Sequence, residues 1–160
     1  MDFADLGLIF TVFFCQQLDP QQDVHRRTLE RELGSRIRFY PMPCSGRIEP
    51  LHLLRALESG ADMVYVLTCP EGACRYQQGN IRARKRLAYA KSLVQEIHLE
   101  PERLELVAAS AAPRKRIDDF VRGLLAREPA FGPSPLRTEG ARACVSTIMS
   151  GNERERGENG

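Results

Sequence analysis

Short apolar runs alternate with stretches of helical periodicity along most of the chain. The runs are continuously apolar and rich in β-branched and aromatic residues, which is typical of strands that are buried on both faces of a parallel sheet. Four strands are predicted on this basis, over Leu8–Phe14, Ile37–Pro41, Ala61–Leu67 and Leu104–Ala109.

The segment after each predicted strand carries apolar residues at helical spacing, with start or stop signals near its ends. Asp19 and Pro20 predict the beginning of the first helix, and Gly34 predicts its end. The second helix is expected to begin at Pro50, and Asn80 is expected to cap the third. The predicted buried positions of the third helix are Leu87, Ala90, Val94 and Ile97. Those of the fourth helix are Ile117, Phe120, Val121, Leu124 and Leu125.

Strands that alternate with helices over short connections predict an α/β fold. Because crossovers between parallel strands are right-handed, we expect a flavodoxin-like, doubly wound parallel sheet of about four strands with helices on both faces. The expected strand order is 2-1-3-4. The α/β domain is predicted over residues 1–130 and an irregular carboxyl-terminal tail over 131–160, where proline, glycine, serine and charged residues dominate.

The second predicted strand runs into a loop. Pro41 and Pro43 cannot donate to a sheet ladder, and Gly46 permits a positive φ. The loop therefore carries Cys44 just beyond the carboxyl end of this strand.

The composition is that of an ordinary globular protein, with 42% hydrophobic and 28% charged residues. A net charge of +2 is too small to favour nucleic-acid binding, and the absence of tryptophan also argues against base-stacking surfaces. The longest apolar run, Leu6–Cys15, has about half of the ~20 residues that a membrane span needs. Since the amino terminus lacks the basic segment of a signal peptide, we expect a cytoplasmic protein with no membrane span.

Four of the five cysteines follow predicted strands. Cys15 directly follows the first strand, Cys44 follows the second, and Cys69 and Cys74 follow the third. In open α/β sheets this edge, at the carboxyl ends of the strands, is where ligands bind. Thiolates are soft ligands, and sets of four cysteines bind zinc or iron–sulfur clusters. The sequence therefore predicts a metal site formed by these four thiols.

The spacing alone leaves alternatives open. The C-x₄-C pair of Cys69 and Cys74 also occurs in plant-type [2Fe–2S] loops, but a structural zinc site or a dithiol switch fits the same residues. Each cysteine could also be a small buried hydrophobic residue. We interpret Cys144 as a small buried hydrophobic residue of this kind.

The remaining chemistry-bearing residues do not form a catalytic constellation. His25, His52 and His98 fall on different predicted helices and are expected to be at the surface or half-buried. The basic run from Arg82 to Arg86 predicts a solvated helix face, with docking on an acidic partner as the alternative. The sequence contains no G-x-G-x-x-G, P-loop or G-x-S-x-G motif, so no catalytic site of its own is expected.

Two motifs resemble the delta subunit of methyl-viologen-reducing hydrogenase and its relatives. Residues 44–50, Cys-Ser-Gly-Arg-Ile-Glu-Pro, are similar to the family's C-S-G-R-(V/I)-(D/E)-P. Residues 68–86 resemble the family's G-C-H-P-G-D-C-H-Y-x-x-G-N-x-x-A-x-x-R. The segment Gly60-Ala61-Asp62 is also similar to the family's sequence. The resemblance covers roughly residues 8 to 125.

The resemblance implies an electron-transfer subunit with one [2Fe–2S] cluster held by Cys15, Cys44, Cys69 and Cys74. It also implies an oxidoreductase partner and a flavin/iron–sulfur HdrA-like subunit, between which electrons pass. Assemblies of this kind in anaerobes are of the heterodisulfide-reductase type or the class II benzoyl-CoA reductase type, and electron bifurcation can occur in them.

The chain departs from the family pattern at several positions, and three of them concern the thiols and the loop that carries two of them. Leu18 stands where the family has the second cysteine of a C-x-x-C pair, and Pro70 and Arg75 replace the histidines of the C-x₄-C loop. The chain therefore keeps four of the family's five cysteines. This loss motivates the alternative that the protein is a cluster-less adaptor, or a docking subunit with structural zinc, in the same kind of complex.

Overall fold

The computed structural model describes residues 7–110, 115–127 and 131–137. Within these residues there is one sheet, with four parallel strands in the order β2-β1-β3-β4. The strands are β1 (Phe10–Cys15), β2 (Ile37–Met42), β3 (Met63–Thr68) and β4 (Leu104–Ala108). The predicted strands and their order are confirmed.

Four α-helices connect or follow these strands within the described residues: α1 (Gln22–Leu33), α2 (Pro50–Glu58), α3 (Gly79–Glu96) and α4 (Ile117–Leu125). Helices α1 and α4 pack on one face of the sheet, and α2 and α3 pack on the other. The predicted doubly wound α/β architecture is confirmed.

Strand β1 runs through the middle of the core, and all six of its residues are buried. Since side chains alternate along a strand, Phe14 packs with Leu29 and Val121 on one face, whereas Phe13 packs with Leu87 on the other. Two hydrophobic clusters thus hold the sheet between its helices. The carboxyl ends of the three adjacent strands β2, β1 and β3 are thereby fixed at one edge.

The first helix begins later than predicted. Helix α1 begins at Gln22, and the Asp19 carboxylate accepts the Gln21 N–H at 2.9 Å just before it. The same carboxylate accepts the Ile117 N–H at 3.0 Å, so it satisfies the first backbone donor of α4. Asp19 is therefore shared between two helix ends, which the local sequence could not reveal.

The ends of α3 also differ from the prediction. Asn80 is the second residue of the helix rather than its cap, and its side chain accepts the Ile81 N–H at 2.9 Å. Ile97 follows the end of the helix and is 62% exposed, so its predicted place in the core is wrong. The predicted core positions Leu87, Ala90 and Val94 are buried.

Asp62 lies at the amino-terminal edge of the sheet, opposite the cysteines, and only 1% of it is exposed. Its carboxylate accepts the N–H groups of Ile9 and Ser134, each at 2.7 Å, and pairs with Arg137 Nη1 at 2.9 Å. Residues 131–137 are therefore held against the domain. The predicted domain division stays a prediction, because residues 138–160 lie outside the described part of the chain.

Over the described residues, no helix has both the length and the apolar character needed to cross a bilayer.

Candidate metal centre

Strand topology brings distant cysteines to one edge of the sheet. Cys15 is the last residue of β1, Cys69 directly follows β3, and Cys44 lies two residues beyond the end of β2. Because β1 lies between β2 and β3, these positions are neighbours in space. Cys74 joins them from the turn between β3 and α3, and none of the four is in a disulfide.

Cys15 and Cys69 form the first pair of thiols. Their Sγ atoms lie 3.5 Å apart, and both residues are buried. Burial, followed by the hydrogen bond to Cys15, raises the pKa of Cys69 to about 12. In the absence of a bound cation this thiol is therefore neutral, whereas a coordinated metal ion deprotonates such a group.

Cys44 and Cys74 form the second pair, in which the two side chains interact directly. Burial raises the pKa of Cys44, and the Gly46 N–H, 3.4 Å from its Sγ, partly opposes this effect. Of the four thiols, Cys74 is the least buried.

Backbone donors surround the Cys74 sulfur at the amino-terminal end of α3. Burial acts to raise its pKa, but hydrogen bonds outweigh burial and the pKa of Cys74 is lowered. Hydrogen bonds to the charged form of a group favour that form. The N–H groups come from Tyr76, Gly79 and Asn80. The fold thus stabilises negative charge on this sulfur before any metal is bound.

The four thiols meet as two pairs rather than around one point. In the described ranges, no three or more His, Cys, Asp or Glu side chains are grouped as ligands of a single ion. The two pairs still interact, since Cys44 and Cys74 both act electrostatically on Cys69. The role of these residues as ligands stays a prediction.

Two glycines allow α3 to pack closely on residues 43–49, the connection between β2 and α2 that we call the Cys44 loop. A Cβ on Gly79 would overlap Cys44 Sγ and would lie 3.0 Å from Cys74 Sγ. A Cβ on Gly46 would lie 2.7 Å from the Gly79 Cα. Gly46 does not have a positive φ, so the predicted reason for this glycine is wrong. A glycine is needed at position 46 because its backbone approaches that of Gly79 beside the thiols.

Arg86 fastens the Cys44 loop to α3. Its Nη1 donates to the carbonyl oxygens of Gly46 at 2.7 Å and Ile48 at 2.9 Å, and it lies 3.0 Å from Glu49 Oε1. Arg86 is therefore a positioning residue for the loop that carries Cys44, and it does not belong to a solvated face.

Replacing Arg86 by glutamine is expected to loosen this loop. The free energy of unfolding should fall by about 1–3 kcal/mol, because two carbonyl groups lose a charged donor. In iron-free protein, iodoacetamide should label Cys44 faster, as measured by peptide mass spectrometry. Arg84→Gln is the matched control, because Arg84 is exposed and its one ion pair among the described residues is with the exposed Glu71, at 3.3 Å. Equal labelling in both variants would contradict the positioning role.

The residues of the predicted basic run thus have different environments in the structure. Arg86 binds the Cys44 loop, Arg84 is paired with Glu71, and Arg82 and Lys85 remain exposed on α3. The solvated-face interpretation is wrong for Arg86.

Leu18 lines a cavity of about 390 Å³ beside Cys69. Arg75 and Lys115 bring positive charge to the same cavity. The two departures Leu18 and Arg75 therefore lie next to the Cys15–Cys69 pair. Leu18 adds an apolar side chain to this side of the site, in the same cavity as the two cations.

The histidines have the predicted exposure, but His98 lies beyond the end of α3 and not on a helix as predicted. His25 is half-buried and hydrogen-bonded to Asp19, and His52 and His98 are exposed. Cys144 lies outside the described residues, so its assignment as a buried hydrophobic residue stays a prediction.

Comparison with known proteins identifies the family. The family described as methyl-viologen-reducing hydrogenase, delta subunit, matches residues 10–128. The chain belongs to this family. The resemblance predicted from the cysteine motifs is therefore confirmed.

Relatives of this delta-subunit chain include proteins of very different length. The chain is 31% identical over 131 residues to the iron-sulfur subunit of the F420-non-reducing hydrogenase vhu of Methanocaldococcus jannaschii. That match covers 82% of this chain and 98% of the relative. It is also 33% identical over 129 residues to one subunit of the ferredoxin:CoB-CoM heterodisulfide reductase of Methanosarcina mazei. There the match covers 79% of this chain but 15% of the longer protein.

Sequence reasoning identifies the thiols but misses the residues that arrange them. The roles of Gly79, Gly46 and Arg86 depend on contacts between α3 and a loop more than 30 positions away. Paired glycines next to separate cysteine motifs are the signal that could have indicated this close approach.

Proposed function

We propose that this chain is an electron-transfer subunit that carries one [2Fe–2S] cluster on Cys15, Cys44, Cys69 and Cys74. The observation that carries this proposal is the gathering of four free thiols, in two pairs, at the carboxyl edge of the sheet. When bound, such a cluster accepts and returns one electron at a time.

The donor set fits this cofactor. A [2Fe–2S] cluster takes four cysteine ligands, two on each iron. Two thiolates on one tetrahedral metal, each with a bond of about 2.3 Å, lie about 3.8 Å apart. The 3.5 Å between the Sγ atoms of Cys15 and Cys69 is close to this value. The Cys44–Cys74 pair supplies the other two ligands.

The protein also controls the charge around the site. Backbone N–H groups donate to the sulfurs of Cys44 and Cys74, whereas Cys15 and Cys69 are more deeply buried. Hydrogen bonds to sulfur and burial are the two means by which proteins adjust iron–sulfur potentials. The chain thus holds the thiolates, orients them and excludes water from one side.

The relatives support the proposed partners. Several are named iron-sulfur subunits of a hydrogenase, and one similar segment lies inside a longer protein of a heterodisulfide reductase. We therefore propose that the chain relays electrons between an oxidoreductase partner and a flavin/iron–sulfur HdrA-like subunit. Its place is a cytoplasmic, anaerobic complex in which electron bifurcation can occur.

Anaerobic purification of the full-length chain tests the cofactor. We expect coloured protein with about two irons and two acid-labile sulfides per chain, as the [2Fe–2S] composition requires. Colourless, metal-free protein would support the cluster-less adaptor, and zinc without iron would support the structural-zinc alternative. A disulfide found by counting thiols with and without reductant would support the dithiol switch.

Cysteine variants test the assignment of ligands. Cys74→Ser should bleach the visible absorption and release most of the iron, because the second pair loses a thiolate. Cys144→Ser is the matched control and should keep the full iron content. Iron loss of the same size in both variants would overturn the choice of ligands.

A further inference from the structure

A cleft of about 400 Å³ opens between the Cys44 loop and the amino-terminal end of α3. Cys44, Gly46 and Gly79 line it, and the two glycines place no side chain between the open space and the Cys44 sulfur. We call this the Cys44 cleft. It is separate from the cavity that Leu18 lines beside Cys69.

The walls of the Cys44 cleft are positively charged. Arg47 and Arg82 line it, and both are exposed. Within the part of the chain that the structure describes, neither arginine forms an ion pair with a carboxylate. Glu49 also lines the cleft, but Arg86 already pairs with it. Two arginines are thus available to a ligand from outside.

The rim of the cleft has a further property of a protein-binding surface. Tyr76 lines it with 56% of the residue exposed. Tyrosine and arginine are enriched among the residues that dominate binding energy at protein interfaces. Charge complementarity across such an interface favours an acidic partner and speeds its association.

We propose that the Cys44 cleft is the docking site of an acidic redox protein, with a carboxylate-bearing loop entering between Arg47 and Arg82. This inference rests on the proposed electron-transfer function. Docking here brings the partner nearest to the Cys44–Cys74 pair. One electron then passes between the reduced centre of one protein and the oxidised centre of the other, and no covalent bond forms or breaks.

Electron transfer to protein acceptors of opposite charge tests the proposal. The full-length, iron-loaded chain is reduced with dithionite, freed of excess reductant and mixed by stopped flow with ferric rubredoxin, which is acidic. Basic ferric cytochrome c serves as the second acceptor, and each ferric acceptor takes one electron. The variant is Arg47→Glu with Arg82→Glu. Its matched control is Arg27→Glu with Arg31→Glu, two exposed arginines on α1 that give the same change in net charge.

The Arg47/Arg82 double variant should keep its iron and its visible spectrum. Its rate constant with rubredoxin should fall by about tenfold or more at low ionic strength, because steering by opposite charge is lost. The rate constant with cytochrome c should rise, and both differences should shrink at high salt. The α1 control should change either rate constant by less than about threefold.

Three outcomes would overturn the proposed docking site. Equal rate changes in the two double variants would assign the effect to net charge. Unchanged rates in the cleft variant would place the electron-transfer surface elsewhere. A slower reaction with ferricyanide, without a slower reaction with rubredoxin, would identify a site for small anions instead of a protein. In each case, an iron-loaded, reducible wild-type chain is still consistent with the proposed electron-transfer function. An iron-free wild-type chain would contradict both that function and the docking site.

Discussion

Gly79→Ala is expected to weaken iron binding by about tenfold or more, within the range of affinity losses seen when residues behind metal ligands are changed, so that the purified chain contains less iron. The added Cβ would overlap Cys44 Sγ and would lie 3.0 Å from Cys74 Sγ, so both members of one thiol pair must move. The neighbouring Gly46 backbone, 3.3 Å from the same Cβ, leaves little space for that movement. Iron and acid-labile sulfide per chain, with the visible spectrum, provide the measurement.

Gly123→Ala is the matched control, because Gly123 lies inside α4 and a Cβ there meets no atom of the described residues within 4 Å. Alanine at such a helical position typically stabilises a protein by about 0.5–1 kcal/mol relative to glycine. This variant should therefore keep its iron and unfold at the same or a higher temperature. Full iron content in Gly79→Ala would show that the close packing of α3 on the Cys44 loop is not required.

Asp62→Ala is expected to cause the largest loss of stability, about 3–5 kcal/mol of unfolding free energy. The substitution leaves the N–H groups of Ile9 and Ser134 without their acceptor, and it leaves Arg137 without its counter-ion. The Arg137 side chain is only 11% exposed, so water replaces the lost partner poorly. Urea unfolding followed by circular dichroism measures the change.

Asp119→Ala serves as the control, because Asp119 is exposed on α4 and should change stability by less than about 0.5 kcal/mol. Asp62→Asn should lie between the two, since the amide keeps an acceptor oxygen but loses the charge. If Asp62→Ala unfolds at the same urea concentration as Asp119→Ala, the carboxylate does not hold residues 131–137 on the domain.

The fold can be predicted because its signals are local and repeated. Four apolar runs separated by helical periodicity allow few architectures, and the handedness of the crossovers narrows them to a doubly wound sheet. Strand order then places Cys15 and Cys44 beside the Cys69–Cys74 loop, although the spacing in the sequence does not show this. In the structure, Cys15 Sγ and Cys69 Sγ lie within 3.5 Å across 54 positions of sequence.

The errors arise where a side chain acts on a distant part of the chain. The sequence predicts that Asp19 serves the nearest helix start, but its carboxylate also binds the first N–H of α4, 98 positions away. It likewise groups Arg86 with adjacent cations, although the Arg86 guanidinium binds carbonyl groups in the Cys44 loop. Local pattern predicts helix faces well, but it contains no information on contacts that only the assembled sheet creates.

The arrangement around Asp62 has a consequence for how this domain can be built into larger proteins. Ile9 precedes β1 and Ser134 follows α4, yet both donate their N–H groups to one carboxylate at the amino-terminal edge of the sheet. The polypeptide therefore enters and leaves the domain at nearly the same place, which is the geometry that tolerates insertion into another chain. A linker attached beside Asp62 joins the domain at the end of the strands opposite the four thiols.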